Sequence, residues 1–218
     1  LAPERHAYGP DAENVFALLR SGVPDAEVVV LGAHLDSVRV APGASDNATG
    51  VATVLAVTRD ATTVKARTRD LLVVFFDEEE RGLVGARQFA ERLKTQGARV
   101  HSVHTIDQVG WDKNGNGAIE LELPYTTPAP GAVALYTDAA KALGLTAPIW
   151  QTTETGSDHN AFRRAGFPAV GLTEEYRHND TSPFIHRAGD TFETVNFAYL
   201  GTVTRIVAQA IRQLLTVR

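Results

Sequence analysis

Short apolar runs alternate along the chain with longer segments of helical period. The strongest run, Leu71–Phe76 (LLVVFF), has six apolar positions without a break, which fits a strand covered on both faces inside an α/β sheet. It passes straight into Asp77-Glu78-Glu79-Glu80 and then into Arg81-Gly82-Leu83-Val84-Gly85-Ala86, where the two glycines would let a helix start close beneath the acids. Asn14–Leu19 and Glu27–Leu31 read as two more strands, joined as a hairpin through the turn-forming Ser21–Asp25, while Leu1–Ala12 reads as irregular. Gly50–Asp60, built of small and branched residues, predicts a buried helix. Leu83–Lys94 predicts a second helix, with Leu83, Ala86, Phe89, Ala90 and Leu93 on one face and Gly97 as its stop.

Arg99–Ile106 alternates enough for a strand and ends on Asp107, and Ala118–Leu123 alternates with Glu120 and Glu122 on its wetter face. Pro124–Pro130 reads as a loop. The remaining elements are a helix near Ala132–Leu143, a strand near Ile149–Thr152, a short helix Asp158–Ala165 and a strand Ala169–Thr173, followed by a long polar connection, Glu174–Asp190. Asn196 is placed to cap a last helix whose Phe197, Leu200, Val203, Ile206, Val207, Ile211, Leu214 and Leu215 share one face. Strands interleaved with helices make the class α/β, and the opening hairpin makes the central β-sheet mixed rather than wholly parallel, with helices on both faces.

Composition narrows the function classes. With 218 residues, 44% hydrophobic and 22% charged, the chain has the makings of one sizeable core, and residues 1–218 are read as a single domain. A net charge of -5 without a basic stripe argues against nucleic acid as a partner, and no apolar run is long enough for a membrane span. The absence of Cys means that any metal must be held by His and carboxylates, a donor set that suits zinc, manganese or another divalent ion. The chain does not begin with Met, so it is read as a processed or trimmed product; an extracytoplasmic or secreted location is the expectation, with a cytoplasmic one left open.

Candidate chemistry gathers where strands end. In open α/β sheets ligands bind in the crevice beyond the carboxyl ends of the strands, and three successive strand ends here deliver polar residues: His34 and Asp36, the acidic run, and Asp107. Asp46, Asp158, His159 and His186 occupy other loops. Taken singly, each has a bland reading: the acidic run a solvated turn, His34 a satisfied loop histidine, Asp46 a helix cap, Asp107 a turn residue, His186 an exposed loop residue. Together they meet the demand of two divalent ions about 3.5–4 Å apart, which need one bridging carboxylate, an imidazole and a carboxylate each, and a shared water. Asp36, two residues beyond His34, is positioned to accept the second ring N–H of that imidazole and fix its tautomer.

Six segments in order, AHLDS (Ala33–Ser37), GASDNATG (Gly43–Gly50), EERGLVGA (Glu79–Ala86), the strand-end Asp107, SDHNAF (Ser157–Phe162, with GFPAV after it) and IHRAGDT (Ile185–Thr191), make the chain resemble peptidase family M28, zinc aminopeptidases with a dinuclear site. The resemblance covers nearly the whole chain. It implies the zinc-exopeptidase sandwich fold, peptide or protein N-termini as substrate and two Zn2+ as cofactors. One zinc would take His34 and Asp107, the other Glu80 and His186, with Asp46 bridging. Glu79 would be the general base that takes a proton from a zinc-bridging water, itself largely hydroxide near neutral pH.

The sequence also departs from the family's pattern. Some members place an oxyanion-stabilising Tyr shortly before the SDH segment, where this chain has Glu154-Thr155-Gly156. Tyr176 is the candidate replacement, while Glu154, Glu174 and Glu175 are candidates for holding a substrate's α-amine. Asp158, a natural helix N-cap, and His159 are assigned to structure or to the substrate pocket rather than to the metals. Asp112-Lys113-Asn114-Gly115-Asn116-Gly117 resembles the start of an EF-hand loop, with Asp112, Asn114 and Asn116 as possible Ca2+ ligands, but the twelfth position is Leu123, not the required Glu. His6, His101, His104 and His178 match no motif. Two other functions stay open: a glutaminyl cyclase, with the same fold and a single zinc, and a non-enzymatic binding domain.

Overall fold

A computed structural model describes residues 1–123 and 130–217. The all-apolar run becomes strand β4 (Asp70–Phe76), an interior member of an eight-stranded sheet. The other strands are β1 (Glu4–Ala7), β2 (Glu13–Leu19), β3 (Val28–His34), β5 (Val100–Ile106), β6 (Ile119–Glu122), β7 (Ile149–Thr152) and β8 (Ala169–Thr173), in the spatial order β1-β2-β4-β3-β5-β8-β6-β7. The four central strands β4, β3, β5 and β8 run parallel, whereas β2 and β6 pair antiparallel with the strands flanking them at β4 and β8.

Period-2 geometry sends alternate residues of β4 into two cores. Leu71 and Val73 pack with Val29, Leu31 and Ile106 against helices α1 (Thr49–Ala61), α3 (Pro130–Ala142) and α5 (Phe197–Thr216). Leu72, Val74 and Phe76 pack with Val30, Val103, Phe89 and Phe162 against helices α2 (Val84–Thr95) and α4 (His159–Ala165). Each fully buried Leu or Phe in these layers contributes about 1.5–3 kcal/mol of transfer free energy. The expected mixed sheet with helices on both faces is therefore present, and the Asn196 cap forms as read, its Oδ1 accepting the Tyr199 amide at 3.1 Å.

The opening hairpin does not form between β2 and β3, because β4 lies between them. The reason is local: the Ser21 amide and hydroxyl both donate to the Asp70 carboxylate, at 2.6 and 2.7 Å, so the turn leaving β2 is tied to the start of β4. The partner of β2 on its other side is β1, formed from residues whose polar character hid a strand. A second correction concerns β6, where Glu120 and Glu122 are both buried rather than on a wet face, since β6 sits between β8 and β7. The loop expected at Pro124–Pro130 lies, apart from its last residue, outside the described residues.

Candidate metal centre

Parallel pairing aligns the carboxyl ends of β3, β4 and β5. His34 is in register with Phe76, the last residue of β4, and Asp107 follows directly on β5, its amide donating to Leu172 O at 2.9 Å. Chain segments from three strand ends and two loops then meet at two overlapping sets of potential ligands: His34, Asp46 and Asp107, and Asp46, Glu80 and His186. His34 Nε2 lies 3.2 Å from Asp46 Oδ1 and 3.2 Å from Asp107 Oδ1. His186 Nε2 lies 3.2 Å from Asp46 Oδ2 and 2.9 Å from Glu80 Oε2. Asp46 thus gives one oxygen to each set.

The tautomer of His34 follows from its partners. Its Nδ1 sits 3.1 Å from the Asp36 carbonyl oxygen, which can only accept, so Nδ1 carries a proton and Nε2 is the nitrogen turned toward the acids. The Asp36 carboxylate is 3.6 Å from that nitrogen and serves mainly to accept the amides of Glu79 and Glu80, at 3.0 and 3.2 Å. Asp36 therefore fixes the chain where β4 leaves the sheet. Below it Gly85 lies so close to Asp77 O and Asn14 Oδ1 that a Cβ would collide with both.

Asp46 sits on a wide turn, Ala44–Ala48, with a cis peptide to Asn47. Two side chains hold the turn. Asp190 accepts the Ser45 amide at 2.7 Å and the Asp46 amide at 3.1 Å, and Asn47 donates to Ile106 O while accepting the Gly50 and Gln108 amides. Glu78, Gln108 and His186, each a site residue or next to one, adopt left-handed backbone conformations with φ between 53 and 58°, uncommon for non-glycine residues and concentrated at functional sites.

The charge balance calls for cations. Asp46 Oδ2 and Glu80 Oε1 are buried without a hydrogen-bond partner, although carboxylate oxygens out of water ordinarily have one. Burial would lower the His34 pKa, but Asp107, Asp36 and Asp46 outweigh it and hold the imidazole well above its usual value. Glu79 belongs to neither ligand set; burial pushes it up to about 9, with His34 opposing and Asp107, Asp158 and Glu80 adding to the rise. Facing imidazole nitrogens and carboxylate oxygens, spread over two sets with one shared acid, fit two small divalent cations of the zinc type.

The other candidates separate. Asp158 occupies the residue before α4 but makes no capping hydrogen bond; its Oδ1 is buried without a partner, and burial pushes its pKa up to about 8, with His34 opposing and Asp107 and Asp36 adding. His159 faces Glu122, Nδ1 to Oε2 at 3.1 Å, and belongs to neither ligand set. Glu174 is not free to hold an amine, because its carboxylate already accepts from the Gly110, Trp111 and Ser182 amides and the Thr181 hydroxyl. Glu175 is likewise occupied by Asn114, Asn116 and His178. Exposed Glu154 and the Tyr176 ring, by contrast, line a cavity that begins at Asp107, with the Tyr176 hydroxyl donating to Gln108 Oε1.

In the Asp112 loop each of the three candidates turns one side-chain oxygen to the loop itself: Asp112 Oδ2 accepts the Gly117 amide, Asn114 Oδ1 that of Asn116, and Asn116 Oδ1 that of Ala118. Among the described residues no three-ligand group gathers there. Sequence reasoning missed Asp190, although it stands in the IHRAGDT segment; it missed Gln108, which no motif marks, and it did not pair His159 of the SDHNAF segment with Glu122.

Residues 14–211 match the model of peptidase family M28. A "Probable leucine aminopeptidase" of Trichophyton verrucosum is 29% identical over 82% of this chain and 50% of its own length, so the chain spans about half the length of the curated relatives it matches. Among solved structures, an aminopeptidase from an Aneurinibacillus strain superposes with TM-score 0.80 at 27% identity, over 93% of this chain and 48% of that one. A glutaminyl cyclase from Porphyromonas gingivalis superposes equally well, TM-score 0.80, at 20% identity over 98% of this chain and 84% of that one.

Proposed function

The chain belongs to peptidase family M28, and from that premise we propose that it is a metal-dependent aminopeptidase that hydrolyses the first peptide bond of peptides and releases the N-terminal residue. One observation carries the reading: Asp46 directs Oδ1 to the His34 set and Oδ2 to the His186 set, the arrangement of a bridging ligand between two ions. A cyclase with a single zinc has no use for that division, which is why the peptidase reading is preferred despite equal similarity of fold.

His34, Asp107, Asp46, Glu80 and His186 would hold the ions, and ions bound there supply Lewis acidity toward the scissile carbonyl and acidify a water to near neutral pKa. Everything else falls to side chains. Glu79, next to Glu80 in sequence but outside both sets, takes the proton of the attacking water and returns it to the leaving amine. Asp36 keeps Glu79 and Glu80 in fixed relation by binding both amides. Tyr176, at the cavity that opens from Asp107, is the donor assigned to the developing oxyanion, with Gln108 holding its hydroxyl in place beforehand.

The test is metal counting and turnover on one preparation. Zinc-loaded protein should contain two ions per chain and release aminoacyl p-nitroanilides faster than it cyclises an N-terminal glutamine. Glu79→Gln should keep both ions and lose about 10²–10⁴ in kcat, the usual share of a general base. A variant with both ions and near wild-type kcat would remove Glu79 from the mechanism; one ion per chain together with cyclisation would replace the whole reading.

A further inference from the structure

Beside the metal centre lies a cavity of about 240 Å³, running from Asp107 to strands β6 and β8. Drug-sized ligands occupy about 300–1,000 Å³, so this space suits one amino-acid side chain. Resting on the aminopeptidase reading above, we infer that it receives the side chain of the substrate's N-terminal residue and selects a basic one, lysine or arginine, through Glu120 and Glu154.

Besides Asp107 the lining carries Glu120, Glu122 and Glu154 and, among the described residues, no Lys, Arg or His. Glu122 faces an imidazole: His159 Nδ1 lies 3.1 Å from Glu122 Oε2, while His159 Nε2 donates to the Glu154 carbonyl oxygen at 3.2 Å. Arg163 adds a cation behind Glu122, donating to its carbonyl and to that of Ala169. Gly171 keeps this pair together, for a Cβ there would collide with both Glu122 Oε2 and His159 Nδ1.

Glu120 has no such partner. Only 2% exposed, it receives the Tyr176 and Arg177 amides on Oε2 and, among the described residues, nothing on Oε1. Ser157, 6% exposed, also lines the cavity with a buried hydroxyl that has no hydrogen-bond partner. Glu154 stands exposed at the rim. An apolar side chain entering here would strip water from Glu120, whereas an ammonium or guanidinium group pairs with it; an acidic side chain would be repelled. A metal ion is a poorer occupant, because among the described residues these carboxylates form no three-ligand group as the two sets at the centre do. They are spread along the cavity, which suits a cation on a long stem.

The experiment compares kcat/KM of the zinc-loaded protein for Lys-, Arg-, Leu- and Glu-p-nitroanilide. Lys and Arg should exceed Leu by at least about tenfold and Glu should be the poorest, as expected where a built polar partner is satisfied or left empty. Glu120→Gln keeps an acceptor for the two amides and should lower the Lys:Leu ratio about tenfold, mostly through KM for Lys; exposed Glu154→Gln should do so by a smaller factor and guards against a folding defect in the first variant. Wild-type preference for Leu, or a ratio unchanged in both variants, overturns the pocket assignment while leaving the peptidase reading intact. If no aminoacyl substrate is cleaved, the peptidase reading fails instead. Calorimetric binding of lysinamide against leucinamide to wild type and Glu120→Gln then decides the pocket separately, and equal binding of the two amides overturns it.

Discussion

Asp190→Asn is the sharpest test of how the metal loop is held. The Asp190 carboxylate is fully buried and accepts two amides, Ser45 at 2.7 Å and Asp46 at 3.1 Å, both from buried residues. Hydrogen bonds to a charged acceptor contribute about 1.5–3 kcal/mol each, and a buried N–H left unpaired costs about 1–3 kcal/mol. Asparagine keeps one acceptor oxygen and turns an NH2 group toward the other amide, so one bond is lost and two donors face each other. The expected loss is about 2–4 kcal/mol, or roughly 5–15 °C in Tm for a chain of this size. Urea unfolding of chelator-treated protein reads the stability without metal, and competition against a zinc dye reads affinity. Affinity should fall about 10–100-fold, as it does when groups that orient ligands are altered. A variant within about 0.5 kcal/mol of wild type and with unchanged zinc affinity would show that the Ala44–Ala48 turn does not depend on Asp190.

Metal removal should destabilise the protein substantially: at a free zinc concentration 100 times Kd each ion adds about 2.7 kcal/mol, so stripping two should lower Tm by roughly 10–20 °C. In Asp46→Ala the zinc-dependent shift in a thermal melt should nearly vanish, and a full shift there would refute the bridging role. A different part of the fold contributes to acid stability. Burial, with a smaller effect from His101, pushes His104 down to about 4, where it stays neutral between the Tyr136 hydroxyl at 2.9 Å and the Ser102 hydroxyl at 3.0 Å. The unfolded chain takes up this proton near pH 6.5, so stability present above that pH is lost as pH falls toward 4, by about 3 kcal/mol in total. The double substitution His104→Leu with Tyr136→Phe removes the imidazole together with the buried Tyr136 hydroxyl and should flatten the decline in urea unfolding free energy between pH 7 and 4; parallel declines would contradict it.

Much of this protein follows from local pattern. The LLVVFF run dictates an interior strand because a segment apolar on both faces must be covered on both, and the 3.6-residue period of Phe197–Thr216 dictates a helix lying on a core. The five residues that gather into two potential ligand sets stand in segments that the resemblance to family M28 marks in order along the chain, because a strand end followed by a chemically unusual loop is a local event. Partnership between distant segments was not legible. The Ser21–Asp70 bonds decide that β2 joins β4 rather than β3, and nothing near either residue announces it.

The same limit divides the acids of the site. Sequence distinguished Glu79 from Glu80 by their neighbours in a motif, but the bonds from both amides to Asp36, the oxygens of Asp46 turned to opposite sides and the clamp from Asp190 exist only once segments up to 145 residues apart are packed together. Glu120 and Glu122 make the point most plainly. An alternating strand with two acids looks wet when only its own period is considered, and becomes the wall of a buried acidic cavity when β7 and β8 close on either side. Hydrophobic period is a property of consecutive residues and is written in the sequence; burial of a charge depends on what lies across the sheet, which only the tertiary structure decides.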